Sequence, residues 1–239
     1  MRCAFARGTN LAGAMKGKRH EAKTQKRGKH MRKSHKEELY NVAFRLFILD
    51  SFDGVSIPDI EKASGFTRGA IFYYADTKQA LYKQVMEHYL LEKQSIDNQW
   101  LSEDSDARLR LEDLSLLGFI DHYVDAIEDA MKNLRKVLGR GITKMRSSRA
   151  YLKLPFQIAE RLPDLHQRQL AMMERELELW KSALVRARDS GEIRSGIEAE
   201  SVAKLFVDLI YGESYTSAVI GDVDTNKLRS ELHALYALL

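Results

Sequence analysis

The sequence predicts an all-α chain, and three observations predict it. Apolar residues recur at steps of three and four along most of its 239 residues, the spacing that gathers them on one face of a helix. Only three prolines and fourteen glycines occur, among abundant Leu, Ala, Glu, Lys and Arg. No stretch alternates apolar with polar residues as a half-buried strand would, and no repeat is present.

The elements follow in order. In residues 35–50, Leu39, Val42, Ala43, Leu46 and Phe47 form one apolar face, and "SFDG" ends the helix. Ser56 is a good N-cap for a short second helix, with Pro58 in its first turn and Asp59 at the capping-box position. Ile57, Ile60 and Ala63 give its inner side, and Gly65 supplies a left-handed exit. Thr67 caps a third short helix reaching about Tyr74. Asp76 caps a fourth, with Gln79 three residues on, and this one runs through Leu81, Val85 and Tyr89 to about Trp100. After the polar break "SEDSD", helical pattern covers 109–138 and 142–162, with Gly118, Gly139 and Pro155 as interruptions. A long helix follows "LPD", its apolar positions being Leu170, Met173, Leu177, Trp180, Leu184 and Ala187. "DSGEIRSG" closes it, and helices over 197–220 and 225–239 complete the chain.

Composition narrows the function. The single cysteine, Cys3, can form neither an internal disulfide nor a thiolate metal site, which suits a reducing cytoplasm. No apolar run approaches the ~18 residues of a membrane span, and no secretory signal opens the chain, so neither membrane nor export is expected. The net charge of +4 is unevenly spread: residues 1–30 hold nine Lys/Arg against one acid, so the other 209 residues carry −4. That basic tail has no helical stripe and is expected to be disordered. It reads either as a nonspecific nucleic-acid arm or as sequence upstream of a start at Met31. The seven histidines lack metal-ligand spacing, His88, His122, His166 and His233 included. No metal and no cofactor is therefore expected. Glu174, Glu176 and Glu178 read as a solvated helix face, Gly139–Gly141 is too short to cradle a phosphate, and no nucleophile–base arrangement is readable. The chain is not expected to be an enzyme.

Two short helices joined at Gly65, with a helix before them, make a helix-turn-helix unit. Phe66 plugs the turn from behind, and Ala70 and Ile71 face the scaffold. Thr67, Arg68, Gly69 and Tyr73 are then free to face outward. Arg68 has the fork geometry for guanine O6 and N7, and Tyr73 or Tyr74 suits a phosphate or a thymine methyl. An exposed helical hairpin with surface tyrosines is the alternative.

The stretch "SIPDIEKASGFTRGAIFYYADTKQALY" resembles the DNA-binding signature of the tetracycline-repressor (TetR) family of bacterial transcriptional regulators. Ser56, Ile57, Ile60, Gly65, Thr67, Gly69, Ile71, Phe72, Lys78 and Leu81 carry the match, and "AFRLFILDSFDGVS" looks like the preceding family segment. The close likeness covers about residues 35–90; beyond it, the "DSGEI" turn and the helical order look familial. Phe72 stands where the family usually has tyrosine, Tyr74 where histidine is common, and Ala75 where a bulkier apolar residue is usual.

The resemblance implies that Ser56, Thr67, Arg68, Gly69, Phe72, Tyr73, Tyr74 and Lys78 face a double-stranded DNA operator, with Arg32, Lys33 and Lys36 as a short basic arm. It also implies a homodimer through the last two long helices. Val202, Leu205, Phe206, Leu209 and Ile210, with Leu228, Leu232, Leu235 and Leu239, give those helices strongly apolar faces, which could equally pack within one subunit. A small hydrophobic effector would lie among the central helices, with Met131, Met145 and Trp180 as walls and His122 and Tyr123 as polar contacts. The expected organisation is a tail over 1–30, a helix-turn-helix domain over 31–78 and a ligand-binding and dimerisation domain over 79–239. The expected function is a ligand-responsive repressor on a palindromic operator. An RNA- or ribosome-associated basic protein and a helical-bundle enzyme are the alternatives.

Deleting residues 1–30 is expected to leave sequence selectivity for duplex DNA intact, as measured by titrations across salt concentration. On the arm reading, the log–log salt slope flattens by about 0.9 per phosphate contact removed. Lost selectivity would place specificity in the tail.

Overall fold

The computed structural model describes residues 35–92 and 111–239, which are helical with no strand among them. Helix α1 spans residues 35–50. The short α2 (Ile57–Ser64) and α3 (Arg68–Tyr74) follow, then α4 (Lys78–Met86), which continues as a π-helix over Glu87–Glu92. A 3-10 turn, Leu111–Asp113, leads into α5 (Leu116–Leu138), α6 (Lys144–Arg161), α7 (Pro163–Asp189), α8 (Ala199–Ile220) and α9 (Thr225–Tyr236). The expected end of the fourth helix at Trp100 and the "SEDSD" break lie outside the described residues.

Local chemistry sets the first helices. Ser56 and Asp59 form a reciprocal capping box: the Ser56 amide donates to Asp59 Oδ2 at 2.8 Å, and the Asp59 amide donates to Ser56 Oγ at 3.3 Å. Gly65 ends α2 at φ 73°, the left-handed region a side chain would resist. Thr67 caps α3 by accepting from the Ala70 amide at 3.3 Å. The cap of α4 is Thr77, one residue beyond the expected Asp76, accepting from the Ala80 amide at 3.0 Å. Gly54 is needed for space: a Cβ there would lie 2.2 Å from the Asp50 carbonyl oxygen. Two expected interruptions lie inside helices. Pro155 sits within α6, and Gly118 falls in the first turn of α5, where its amide donates to Ser115 Oγ at 3.1 Å.

Two buried clusters hold the chain. The first joins α1 (Leu39, Phe44, Phe47), Ile60, Ile71 and α4 (Leu81, Tyr82, Val85) to the second half of α5 (Met131, Leu134, Leu138), α6 (Leu154, Ile158) and Leu165. Phe44 stacks on Tyr89 at 4.1 Å, and Phe47 meets Tyr82 edge-on at 5.0 Å. The second cluster joins the first half of α5 (Phe119, Ile120, Val124) to α7 (Trp180, Leu184), α8 (Ala203, Phe206, Ile210) and α9 (Leu228, Leu232). Helices α5 and α7 therefore belong to both. The first cluster has members on both sides of the expected division at 78/79.

Lys78 locks the turn between α1 and α2. Its ammonium donates to the carbonyls of Phe52 at 2.9 Å and Val55 at 2.8 Å, and lies 4.0 Å above the Phe52 ring. Arg161 comes over the same ring at 5.0 Å and pairs with Asp53. Replacing Lys78 by Met keeps the stem and removes both hydrogen bonds. The variant is expected to lose about 2 kcal/mol of stability in denaturant titrations, the scale of hydrogen bonds to a charged group.

Candidate nucleic-acid interface

Helix α3 buries Ile71 against the first cluster and turns its opposite side outward. Thr67, Arg68, Gly69 and Tyr73 are exposed, Tyr73 by 71%. The Arg68 guanidinium lies 5.5 Å from the centre of the Phe72 ring one turn on, so Phe72 offers an apolar platform that steadies the arginine. The two tyrosines divide the work that two neighbours on a helix cannot share. Tyr74 packs partly on the first cluster, and Tyr73 stands in solvent with its ring edge-on to Tyr74 at 5.2 Å. This leaves a polar and aromatic ridge of one guanidinium, one hydroxyl cap, one glycine and one phenol.

The other expected DNA contacts are placed differently. Lys36 is exposed, its ammonium 5.0 Å over the Tyr40 ring. Arg32 and Lys33 lie outside the described residues. Ser56 is exposed, yet its hydroxyl donates to Asp59 Oδ2 at 2.5 Å while its oxygen accepts the Asp59 amide. Lys78 does not point outward: its ammonium is held by the Phe52 and Val55 carbonyls, so its role is to brace the unit.

Residues expected at a dimer interface separate into two sets. Phe206, Ile210, Leu228 and Leu232 are buried within the chain, where Phe206 stacks on Trp180 at 4.8 Å; they have no surface to offer a partner. Leu205 is 54% exposed, and Val202, Leu209 and Leu235 are half-buried. The outer face of α8 continues through Gly212, where an added Cβ would meet nothing, to Tyr215, Val219 and Ile220, all more than half exposed.

The expected effector residues also separate. Tyr123 and Trp180 come together in the second cluster with ring centres 5.1 Å apart, whereas Met131 is buried in the first. Met145 and His122 are exposed on α6 and α5. Beside Tyr123 lies a residue read from sequence as solvated: Glu176 is 4% exposed. Its carboxylate accepts from the hydroxyls of Tyr123 and, at 2.8 Å, Tyr211. Burial pushes its pKa up despite both bonds. Desolvation first and the Glu176 charge second push the Tyr151 hydroxyl up as well, so Tyr151 is a third phenol near this carboxylate. The sequence signal was available in its four-residue spacing from Trp180, which puts both on one side of α7. The expected apolar stripe holds from Leu177 onward but fails before it, where Leu170 and Met173 are exposed.

Among the described residues, no group of three or more His, Cys, Asp or Glu is arranged to hold a metal ion, and no helix is long and apolar enough to cross a membrane.

Comparison with known proteins bears on this geometry. Residues 39–85 match the family model of bacterial regulatory proteins, tetR family. No curated protein sequence matches the chain. Among solved structures, a TetR-family transcriptional regulator from Cytophaga hutchinsonii is 14% identical with a TM-score of 0.59, covering 85% of this chain and 94% of that one. A TetR-family regulator from Rhodococcus sp. is 14% identical with a TM-score of 0.57, covering 86% and 98%. The regulator PfmR from Thermus thermophilus is 14% identical with a TM-score of 0.54, covering 83% and 96%. These likenesses show the fold along most of the chain, and the family model falls on the segment that builds the outward ridge of α3. Over residues 39–85 the chain matches the tetR family of bacterial regulatory proteins, and along most of its length it has the fold of the solved TetR-family regulators.

Proposed function

We propose that the protein is a ligand-responsive repressor that acts in the cytoplasm and binds a palindromic operator as a homodimer. The observation that carries the operator reading is the outward side of α3, where Arg68, steadied by Phe72, stands beside Gly69 and Tyr73. A guanidinium takes guanine O6 and N7 in the major groove, glycine admits the backbone close to a phosphate, and Tyr73 serves phosphate or a thymine methyl. In functional terms the chain divides at about residue 78, with the reading head before it and the effector and dimer elements after it.

A two-fold dimer supports two such heads one helical turn of DNA apart, about 34 Å. The surface for it is the outer side of α8, with Leu205, Leu209, Val219 and Ile220 around the open flank of Gly212. An exposed stripe of this kind is what a self-complementary interface requires.

The signal has a route through the helices that belong to both clusters. Helix α7 carries Trp180 in one and Leu165 in the other. At its start, Lys83 of α4 donates to Asp164 at 3.0 Å, and Gln79 donates to the Arg161 carbonyl at 3.3 Å. A ligand that shifts α7 or α4 would tilt the head and change the separation of the two α3 helices. It must bind the released state more tightly, and a tenfold preference is worth about 1.4 kcal/mol.

Substituting Arg68 by Ala is expected to cost roughly 1–3 kcal/mol of operator affinity and to relax one base position, read by selecting duplexes from a random pool and measuring anisotropy with the winners. Unchanged site choice and affinity would show that another side of the head meets DNA.

Leu205→Asp is expected to give monomers in sedimentation and to weaken operator binding, with little change in the melting of the single chain because Leu205 is 54% exposed within it. A wild-type protein that sediments as a monomer would remove the dimer from the proposal.

A further inference from the structure

Positive charge is concentrated on one corner of the folded chain. Residues 130–159 hold eight Lys/Arg and no acid, while the rest of residues 31–239 carries −12. The run covers the end of α5, the turn after it and most of α6. Part of it is neutralised: Lys132 pairs with Glu128 at 2.8 Å, and Arg146 reaches Asp50 at 3.5 Å. Lys136, Arg140 and Lys144, around the turn itself, are exposed and pair with no described acid. Arg45 of α1 adds a further charge, its Nη1 3.7 Å from where a Cβ on Gly139 would lie.

Helix stability does not account for these cations. Thr143 caps α6 by accepting from the Arg146 amide at 3.2 Å, and the first turn holds Lys144 and Arg146 with no acid. That end of a helix is the positive end of its dipole, where a cation is unfavourable and an anion is stabilised. The charges come from α1, α5, the turn and α6, so an extended polyanion meets them where one small anion would not. The corner also lies between two surfaces that the proposed operator complex uses. On one side is α1 of the reading head, joined through Arg45 and the Arg146–Asp50 pair. On the other is the end of α8, where Arg149 holds the Ala218 and Val219 carbonyls at 3.0 and 2.7 Å. The exposed Val219 and Ile220 there belong to the stripe assigned to the dimer. A two-fold axis along that stripe sets two such corners side by side between the two heads, and what runs between the heads is the duplex.

We propose that the turn between α5 and α6 is a second DNA-binding surface, in which Lys136, Arg140 and Lys144 contact the backbone phosphates between the two half-sites of the operator. The inference rests on the dimeric operator reading given above. The surface has no part in reading bases, because contacts to phosphate position a protein without carrying sequence. Helix α3 chooses the site, and the basic turn adds affinity and salt dependence.

The test titrates the full-length protein, over a range of salt, onto an operator selected from random duplexes. The double variant Arg140→Gln, Lys144→Gln is expected to bind about tenfold more weakly at physiological salt. Its log–log salt slope is expected to fall by at least about 2, since a dimer loses four cations at up to about 0.9 each. The selected sequence is expected to stay the same. Melting is expected to hold or rise, because a cation leaves the positive end of α6; should the pair of changes unfold the chain, Lys136→Gln repeats the slope measurement. Neutral methylphosphonate linkages between the half-sites locate the contact. They are expected to weaken the wild type by about tenfold and the double variant by less than about threefold. An unchanged slope in the variant, or equal loss for both proteins on the neutralised duplex, overturns the surface. Pyrophosphate that raises the melting of the wild type and not of the variant, with operator binding the same in both, overturns it as well and gives the turn to a free phosphate ligand. Arg68→Ala run in parallel separates this inference from the reading beneath it. Site choice lost there, with the turn variant indistinguishable from wild type, overturns the surface and leaves the operator reading standing. A wild type that selects no duplex removes the operator reading, and the surface with it.

Discussion

The structure depends on a hydrophobic core that the reading head cannot build alone. A unit of about fifty residues buries too little surface to offset its conformational entropy comfortably. Here Phe44, Phe47, Tyr82 and Tyr89 complete their contacts against Leu134, Leu138, Leu154 and Ile158, which come from the helices behind. The orientation of α3 follows from this. Ile71 anchors it to the shared core, and everything on its other side is left to solvent or a ligand. Burial also explains the lone Tyr82 hydroxyl, whose pKa is pushed up to about 12 by desolvation: the ring is worth more as packing than its hydroxyl costs unpaired.

Polar groups fasten the ends of the helices that the two cores leave open. Glu192, in the turn after α7, accepts from the amides of Leu116 at 2.9 Å and Leu117 at 3.2 Å, so a carboxylate sits on the positive end of α5. The same side chain accepts from the Tyr236 hydroxyl at 3.2 Å and so ties in α9. Arg149 of α6 donates to the carbonyls of Ala218 at 3.0 Å and Val219 at 2.7 Å, satisfying the last turn of α8. Arg229 of α9 reaches Asp121 and Asp125 of α5, both at 2.6 Å. These contacts fix helix positions more than they add stability, since several are partly exposed.

What the sequence makes legible is what a few neighbouring residues decide. The Ser56–Asp59 box, the Gly65 exit and the Thr67 cap are short-range chemistry, and each stands where the spacing puts it. The rotation of a long helix is not decided locally. The stripe of Leu170 and Met173 gives way to Glu176 because phenols from α5 and α8, 53 and 35 residues away, satisfy its oxygens. Lys78 is unreadable for the same reason: its acceptors are turn carbonyls 26 and 23 residues earlier, and nothing beside it in sequence announces them. The apolar faces of α8 and α9 illustrate a third limit. Periodicity marks Phe206 and Leu205 alike as apolar, yet one stacks on Trp180 and the other faces out, and only the packed neighbours tell them apart.

The shared core also bears on how such a protein can be recombined. A head that ends where its motif ends, at Lys78, would leave Leu81 and Val85 without their partners and expose Leu134, Leu154 and Ile158 on the piece left behind. A chimera between two relatives therefore has to exchange the lining of α4, α5 and α6 together with the recognition helix, or match its volume. Under the proposed function, specificity for DNA can drift by changes on the outer side of α3 alone, residue by residue. Exchange of whole heads is confined to partners whose inner walls already fit.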